Sequence, residues 1–186
     1  MHQIRSIAEE EIVSQCRKGS LKHQEALYRH FYSYAMAISV RYSLNRDDAQ
    51  EVVNDGFIKV FNAIHHFNAD KPFRAWLRTI MVNTAIDRRR KDMKFQLNVE
   101  LDHAAPSIGA IAISSLGAQD ILKLMKNLPP VQAAIFNLYE IDGYTHDEIA
   151  VLLSIPVSSS RVYLSRAKEK LRSLLKSETI RHGRSV

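Results

Sequence analysis

One cysteine, one tryptophan, six glycines and five prolines among 186 residues exclude several protein classes at the outset. A lone Cys16 cannot build an internal disulfide framework, which fits a reducing compartment. The longest weakly polar run, "AAPSIGAIAISSLGA" (104–118), is too short and too rich in serine and glycine to span a bilayer. The first residues lack the basic start, apolar core and small-residue cleavage site of a signal peptide. The expectation is a soluble cytoplasmic protein with no direct membrane insertion. Also missing are a glycine-rich phosphate loop, a nucleophile elbow and a helical His-Glu metal motif. His65 and His66 are adjacent, so on a helix they point in different directions and make a poor metal pair. No catalytic residue, metal or cofactor is therefore expected.

What is present is charge and helical periodicity. The formal net charge is +6 and the pI about 9.5, which favours anionic partners. Apolar residues make up 46%, enough for a folded core. Apolar positions recur at helical spacing on both sides of a middle stretch holding Pro106, Gly109 and Gly117, whereas strand-like alternation is scarce. The expected fold is all-α: two small helical domains joined by a linker, the second ending in a helix-turn-helix. The boundaries read as 1–93, a linker over 94–118 whose apolar "IGAIAI" suits docking, 119–177, and a tail over 178–186.

The second module closes on "GYTHDEIAVLLSIPVSSSRVYLSRAKEKL" (143–171). Thr145 and Glu148 have capping-box spacing, so a helix starts there. Pro156 disfavours helical geometry at Ile155 and marks a turn. In the next helix Ser160, Leu164, Ala167, Leu171 and Leu174 share one face. Arg161, Val162, Ser165, Arg166 and Glu169 lie opposite, with Ser158, Ser159 and Tyr163 near the start and flank. That face is either a solvated cationic surface or a base-reading one, since arginine can read guanine, hydroxyls can hold phosphates and valine can touch a thymine methyl. Six Lys+Arg against one acid between Arg161 and Lys176, Lys168 included, favour DNA.

In the first module, "KPFRAWLRTIMVNTAIDRRRKD" (71–92) puts Phe73, Leu77, Ile80, Met81 and Thr84 on one helix face. Trp76, Asn83, Asp87 and Arg90 form a neighbouring stripe. An aromatic beside an amide on a basic helix can stack on an unpaired base and bond its edge, or can simply be core tryptophan beside solvated arginines. The preceding helix "NRDDAQEVVNDGFIKVFNAIHHF" (45–67), with Asn45 or Asp47 as N-cap, carries Asp48, Glu51 and Asp55 on one stripe opposite Val53, Phe57, Val60 and Ile64. Acids there suit the macrodipole, and they equally suit docking to a positive protein surface.

Taken together, "EALYRHFYSYAMAISVRY", "DDAQEVVNDGFIKVFNAI", "FRAWLRTIMVNTAIDRRRK" and "LPPVQAAIFNLYEIDGYTHDEIAVLLSIPVSSSRVYLSRAKEKLR" resemble an extracytoplasmic-function sigma factor of bacterial RNA polymerase over nearly the whole chain. The resemblance implies an alternative sigma factor, without catalytic activity, that binds core polymerase and reads promoter −10 and −35 elements. It implies core binding by Asp48, Glu51 and Asp55, and −10 recognition and melting by Phe67, Trp76, Asn83 and Asp87, with Arg88, Arg89, Arg90 and Lys91 near phosphates. It implies −35 contacts by Ser158, Ser159, Arg161, Val162, Ser165, Arg166 and Lys168. An anti-sigma factor, often membrane-bound in such families, is an implied partner. Many relatives have glycine-threonine-valine where this chain has Ser158-Ser159-Ser160, so promoter sequence is not implied. The competing readings are a helix-turn-helix regulator that binds duplex DNA without joining polymerase, and a helical adaptor that binds proteins only.

Overall fold

The computed structural model describes the backbone of residues 2–100 and 124–182, and side chains within 9–90 and 124–176. Residues 101–123, which include the "IGAIAI" segment, lie outside the described residues, as does the side chain of Lys91. All regular structure among the described residues is helical. The chain divides into two compact units, Met1–Arg88 and Arg89–Val186.

In the first unit α1 spans His2–Arg17, α2 Leu21–Tyr42 and α3 Arg46–Ala63, with a 3₁₀ turn at Ile64–His66; α4, Phe73–Glu100, begins in this unit and runs past its boundary at Arg88. The break after α1 is chemically specified. Gly19 sits at φ +81°, and the Gly19 and Ser20 amides return to the Cys16 and Gln15 carbonyls, a Schellman stop that favours glycine. Cys16 is buried, and that burial pushes its thiol pKa up to about 11, so it is inert at neutral pH. Asn45 caps α3 by accepting from the Asp48 amide at 2.8 Å, and Asp48 reciprocates on the Leu44 amide at 3.1 Å. Leu27, Phe31, Ala35 and Ile38 of α2 are buried together with Val52, Val53, Phe57 and Val60 of α3. Phe73, Leu77, Met81, Val82, Ala85 and Ile86 of α4 complete this core. Helix α4 continues to Glu100, into the stretch read as linker, because nothing between Met93 and Glu100 breaks a helix.

In the second unit α5 spans Pro130–Phe136 and widens into a π-helical turn, Asn137–Ile141; α6 spans His146–Leu153 and α7 Val157–His182. Pro130 occupies the first turn of α5, where its missing N–H costs nothing. Leu138 accepts from the Tyr144 amide at 2.9 Å, and Gly143 turns the chain at φ +74°. The capping box is present. Thr145 Oγ1 accepts from the Glu148 amide at 3.2 Å, while Glu148 accepts from the Thr145 amide at 2.8 Å. The Thr145 amide and hydroxyl hold the Glu148 carboxyl below its ordinary pKa. At the other end of α6, Ser154 adopts the left-handed region, φ 56° and ψ 49°, and the Ile155 amide returns to Ala150 at 3.0 Å. This turn resets the chain direction before α7.

The inner face of α7 holds Ser160, Leu164, Ala167 and Leu171 as the spacing predicts, and adds Tyr163 at 2% exposure. Tyr163 stands three residues after Ser160 and one before Leu164, so it belongs to the core stripe and not to the flank of the opposite face. His146 joins three elements. Its Nδ1 lies 2.9 Å from Ser160 Oγ, and its ring stacks on Tyr139 at 4.5 Å. Burial, and next the charge of Arg161, lower the His146 pKa below its ordinary 6.5.

Two outcomes follow from these turns. Ser154→Gly is expected to stabilise the second unit by about 1 kcal/mol, because glycine adopts the left-handed region without the penalty a Cβ incurs; slower hydrogen exchange in α6 and α7 checks it. A histidine whose folded pKa is depressed binds fewer protons than the unfolded chain, so its contribution is complete above 6.5 and is lost as pH falls below it. Exchange protection of α6 amides is therefore expected to fall between about pH 6.5 and 5. His146→Asn should flatten that dependence.

Candidate nucleic-acid interface

Three surfaces carry the residues singled out from the sequence, two in the first unit and one in the second. On the outward side of α7, Ser158 and Arg161 are exposed, while Ser159, Val162, Ser165 and Arg166 are half-buried. The Arg166 guanidinium lies 5.9 Å over the Tyr163 ring, a cation–π contact that limits the rotamers of its stem. Lys168 is committed elsewhere. Its ammonium pairs with Glu140 at 2.5 Å, lies 5.9 Å from the centre of the Tyr139 ring and is only 16% exposed. It fastens α7 to the π-helical turn instead of facing outward with Arg161 and Arg166. No local pattern could have shown this, since Glu140 and Lys168 meet only through the turn at Gly143 and the α6 hairpin.

The loop before α4 is built on Asn68, whose side chain accepts from the Asp70 amide at 2.9 Å and whose carbonyl accepts from Lys71 at 3.1 Å. Phe67 points inward from that loop and is 6% exposed. It meets Phe73 edge-on at 5.4 Å and Trp76 at 5.2 Å, and Phe31 closes on Phe73 at 5.0 Å. Trp76 and Asn83 are half-buried on α4. Trp76 thus has one face in an aromatic cluster and an edge toward solvent, a position that combines the two readings its sequence context allowed.

Beside this cluster is a cavity of about 360 Å³ whose lining includes Glu9, Val13, Arg17, Phe67, Lys71 and Arg74. Glu9 closes one side by hydrogen bonding with His30 at 2.8 Å and accepting from Arg74 at 2.9 Å. Burial opposes ionisation of Glu9, but the His30 and Arg74 contacts outweigh it and hold the carboxyl below its ordinary pKa. No local pattern marks this latch, because Glu9 and Arg74 are 65 residues apart.

The acidic stripe is the third surface. Asp48, Glu51 and Asp55 do share one side of α3, and Arg88 of α4 lies over them. Arg88 Nε donates to Asp48 Oδ1 at 2.7 Å, one Nη contacts Glu51, and the other stands 3.7 Å from Asp55 Oδ2. Asp87 pairs with Lys59 at 3.4 Å, on the rim of an open groove of about 450 Å³ floored by Ile58 and Thr84. Arg89 and Arg90 follow on α4, half-buried. The two sets that sequence reasoning kept separate, carboxylates for protein and arginines for phosphate, therefore meet at Arg88. Among the described residues, no group of three or more His, Cys, Asp or Glu could hold a metal ion, and no helix is long and apolar enough to cross a membrane.

Comparison with known proteins is consistent along the chain. Residues 27–95 match the model of Sigma-70 region 2, and residues 118–171 match that of Sigma-70, region 4. The RNA polymerase sigma-H factor of Pseudomonas aeruginosa is 24% identical over 176 residues, covering 88% of this chain and 91% of that protein. The ECF RNA polymerase sigma-E factor of Escherichia coli is 25% identical over 178 residues, covering 89% and 93%. Among solved structures, the sigma factor RpoE of Bartonella quintana, in complex with the anti-sigma factor NepR, aligns with a TM-score of 0.52 at 23% identity, covering 84% of this chain and 98% of that one. CnrH, in complex with the cytosolic domain of CnrY, aligns at 0.50 and 22%, covering 91% and 98%. With region 2 and region 4 in that order on two helical units, and with full-length relatives of the same kind, the chain belongs to the extracytoplasmic-function sigma factors: it is an alternative RNA polymerase sigma factor that directs promoter-specific transcription initiation.

Proposed function

We propose that residues 1–93 dock on core RNA polymerase and melt and read the −10 element, that 94–118 link, and that 119–177, followed by a tail over 178–186, read the −35 element. The observation that carries this reading is in the first unit: an acidic stripe on α3 beside a helix that presents Trp76, Asn83 and a run of arginines. A regulator that only binds duplex DNA has no use for that pairing. The docking residues are Asp48, Glu51 and Asp55, whose charge suits a basic protein surface. Trp76, backed by the buried Phe67, supplies the aromatic wall against which an unpaired base stacks, and Asn83 supplies an amide for its edge. Asp87 orders Lys59 beside the groove, and Arg88, Arg89, Arg90 and Lys91 track phosphates.

At the −35 element, Arg161 and Arg166 read base edges, Val162 lies against thymine methyls, and Ser158, Ser159 and Ser165 hold backbone phosphates. Lys168, tied to Glu140, supports the helix that presents them. The protein acts in the cytoplasm, carries out no chemistry of its own and requires no cofactor. Its partners are core polymerase, promoter DNA and an anti-sigma factor, a reading that the complexes of RpoE with NepR and of CnrH with the cytosolic domain of CnrY support.

Run-off transcription with bacterial core polymerase on fragments of the source genome tests the whole reading. Discrete transcripts that share an upstream element, and that depend on this chain, are the expected result; none with an active, closely related core would reject it. Arg166→Ala should cost about 1–3 kcal/mol of discrimination at one −35 base pair while leaving core affinity intact. Transcription from promoters altered at single −35 positions measures it. Asn83→Ala should reduce open-complex formation more than closed-complex binding, read as lower permanganate reactivity of −10 thymines at saturating protein.

A further inference from the structure

Among the described residues, Arg88 is the side chain that belongs to both proposed surfaces of the first unit. Its guanidinium is 37% exposed and faces three carboxylates on α3, of which Glu51 and Asp55 are more than half exposed. The three carboxylates outnumber the guanidinium that lies over them, and Glu51 and Asp55 keep negative charge toward solvent. A guanidinium carries its donors in a rigid fork, and here Nε and one Nη donate to Asp48 and Glu51 while the other Nη stands at ion-pair distance from Asp55. A phosphate approaching from outside therefore meets Arg88 through a surface of its own sign. The same residual charge attracts a basic protein surface, whose cations would compete with Arg88 for the same oxygens.

We propose that Arg88 couples polymerase docking to promoter contact: the α3 stripe holds it in the free chain, and a basic partner surface that takes over Asp48, Glu51 and Asp55 releases it to a phosphate of the −10 strand. The proposal rests on the docking reading above and extends it. Docking then changes the charge presented by α4 without moving a helix, since the donor changes partner while the backbone stays in place. Thermodynamic linkage makes the effect mutual. DNA that engages Arg88 vacates the stripe and favours docking, and docking favours DNA.

The test uses four forms of the full chain: the parent, Arg88→Gln, the stripe-neutralised Asp48→Asn/Glu51→Gln/Asp55→Asn, and their combination. Each is titrated, without polymerase, against a labelled promoter fragment whose −10 segment is single-stranded. Neutralising the stripe raises affinity by net charge alone, so the decisive quantity is the cost of Arg88→Gln in each background. It should be less than about twofold in the parent and about fivefold or more in the neutralised chain. An equal cost in both backgrounds overturns the coupling.

Core polymerase affinity supplies the second arm. Arg88→Gln should bind core about threefold tighter than the parent, because no resident cation has to be displaced. Equal or weaker binding would mean that Arg88 merely arranges the stripe, and overturns the proposal while leaving the docking reading intact. Failure of the parent itself to bind core would reject both. Helical circular dichroism establishes that each variant is folded, and the exposed pair Glu51→Gln/Asp55→Asn replaces the triple if Asp48, which also accepts from the Leu44 amide, proves necessary for α3.

Discussion

The close approach of α3 to α4 sets the geometry on which the first unit depends. Gly56 has no side chain on the face that meets α4, and a Cβ there would stand 2.4 Å from Met81 Sδ and 2.8 Å from its Cε. Met81 is fully buried in that contact. Because the helices can meet so closely, Asp48, Glu51 and Asp55 come within reach of Arg88, and Asp55 and Ile58 share a groove with Thr84 and Asp87. A larger residue at Gly56 would have to displace the buried Met81 thioether.

The ion cluster at Arg88 does not hold the unit together. Exposed ion pairs contribute about 0–1 kcal/mol each, whereas full burial of a leucine or phenylalanine is worth about 1.5–3 kcal/mol. Leu27, Phe31, Phe57, Leu77 and Ile86 supply the stability. The charged residues on the surface are therefore free to exchange partners without endangering the fold. A sigma factor that must pass from solution onto polymerase and then onto DNA needs this separation of roles.

The second unit solves a different problem, the placement of one helix against two short elements. Thr145 and Glu148 start α6, Ser154 ends it in a left-handed turn, and His146 reaches across to Ser160 on α7. The Lys168–Glu140 pair adds a second fastening further along α7. Between these points the outward face carries Arg161, Val162, Ser165 and Arg166 at a fixed rotation. An interface that reads bases needs such rigidity, because a small rotation of the helix would move every side chain off its base edge.

The sequence by itself determined what depends on neighbours within a turn or two of helix. The capping box at Thr145, an N-cap at Asn45 or Asp47, the acidic stripe and the inner stripe of α7 through Ser160, Leu164, Ala167 and Leu171 were all legible. Each is fixed by spacing and by backbone hydrogen bonds that close locally. The all-helical class and the sigma-factor resemblance were legible too, since order and periodicity run along the chain. Tertiary structure alone decided which charged groups face each other. Arg88 on the stripe, Glu9 on Arg74 and Lys168 on Glu140 join residues distant in sequence, where only packing sets proximity. It also moved Tyr163 into the core and widened the end of α5 into a π-helical turn, because the free energy of a side chain depends on the cavity it fills as well as on the helix that carries it.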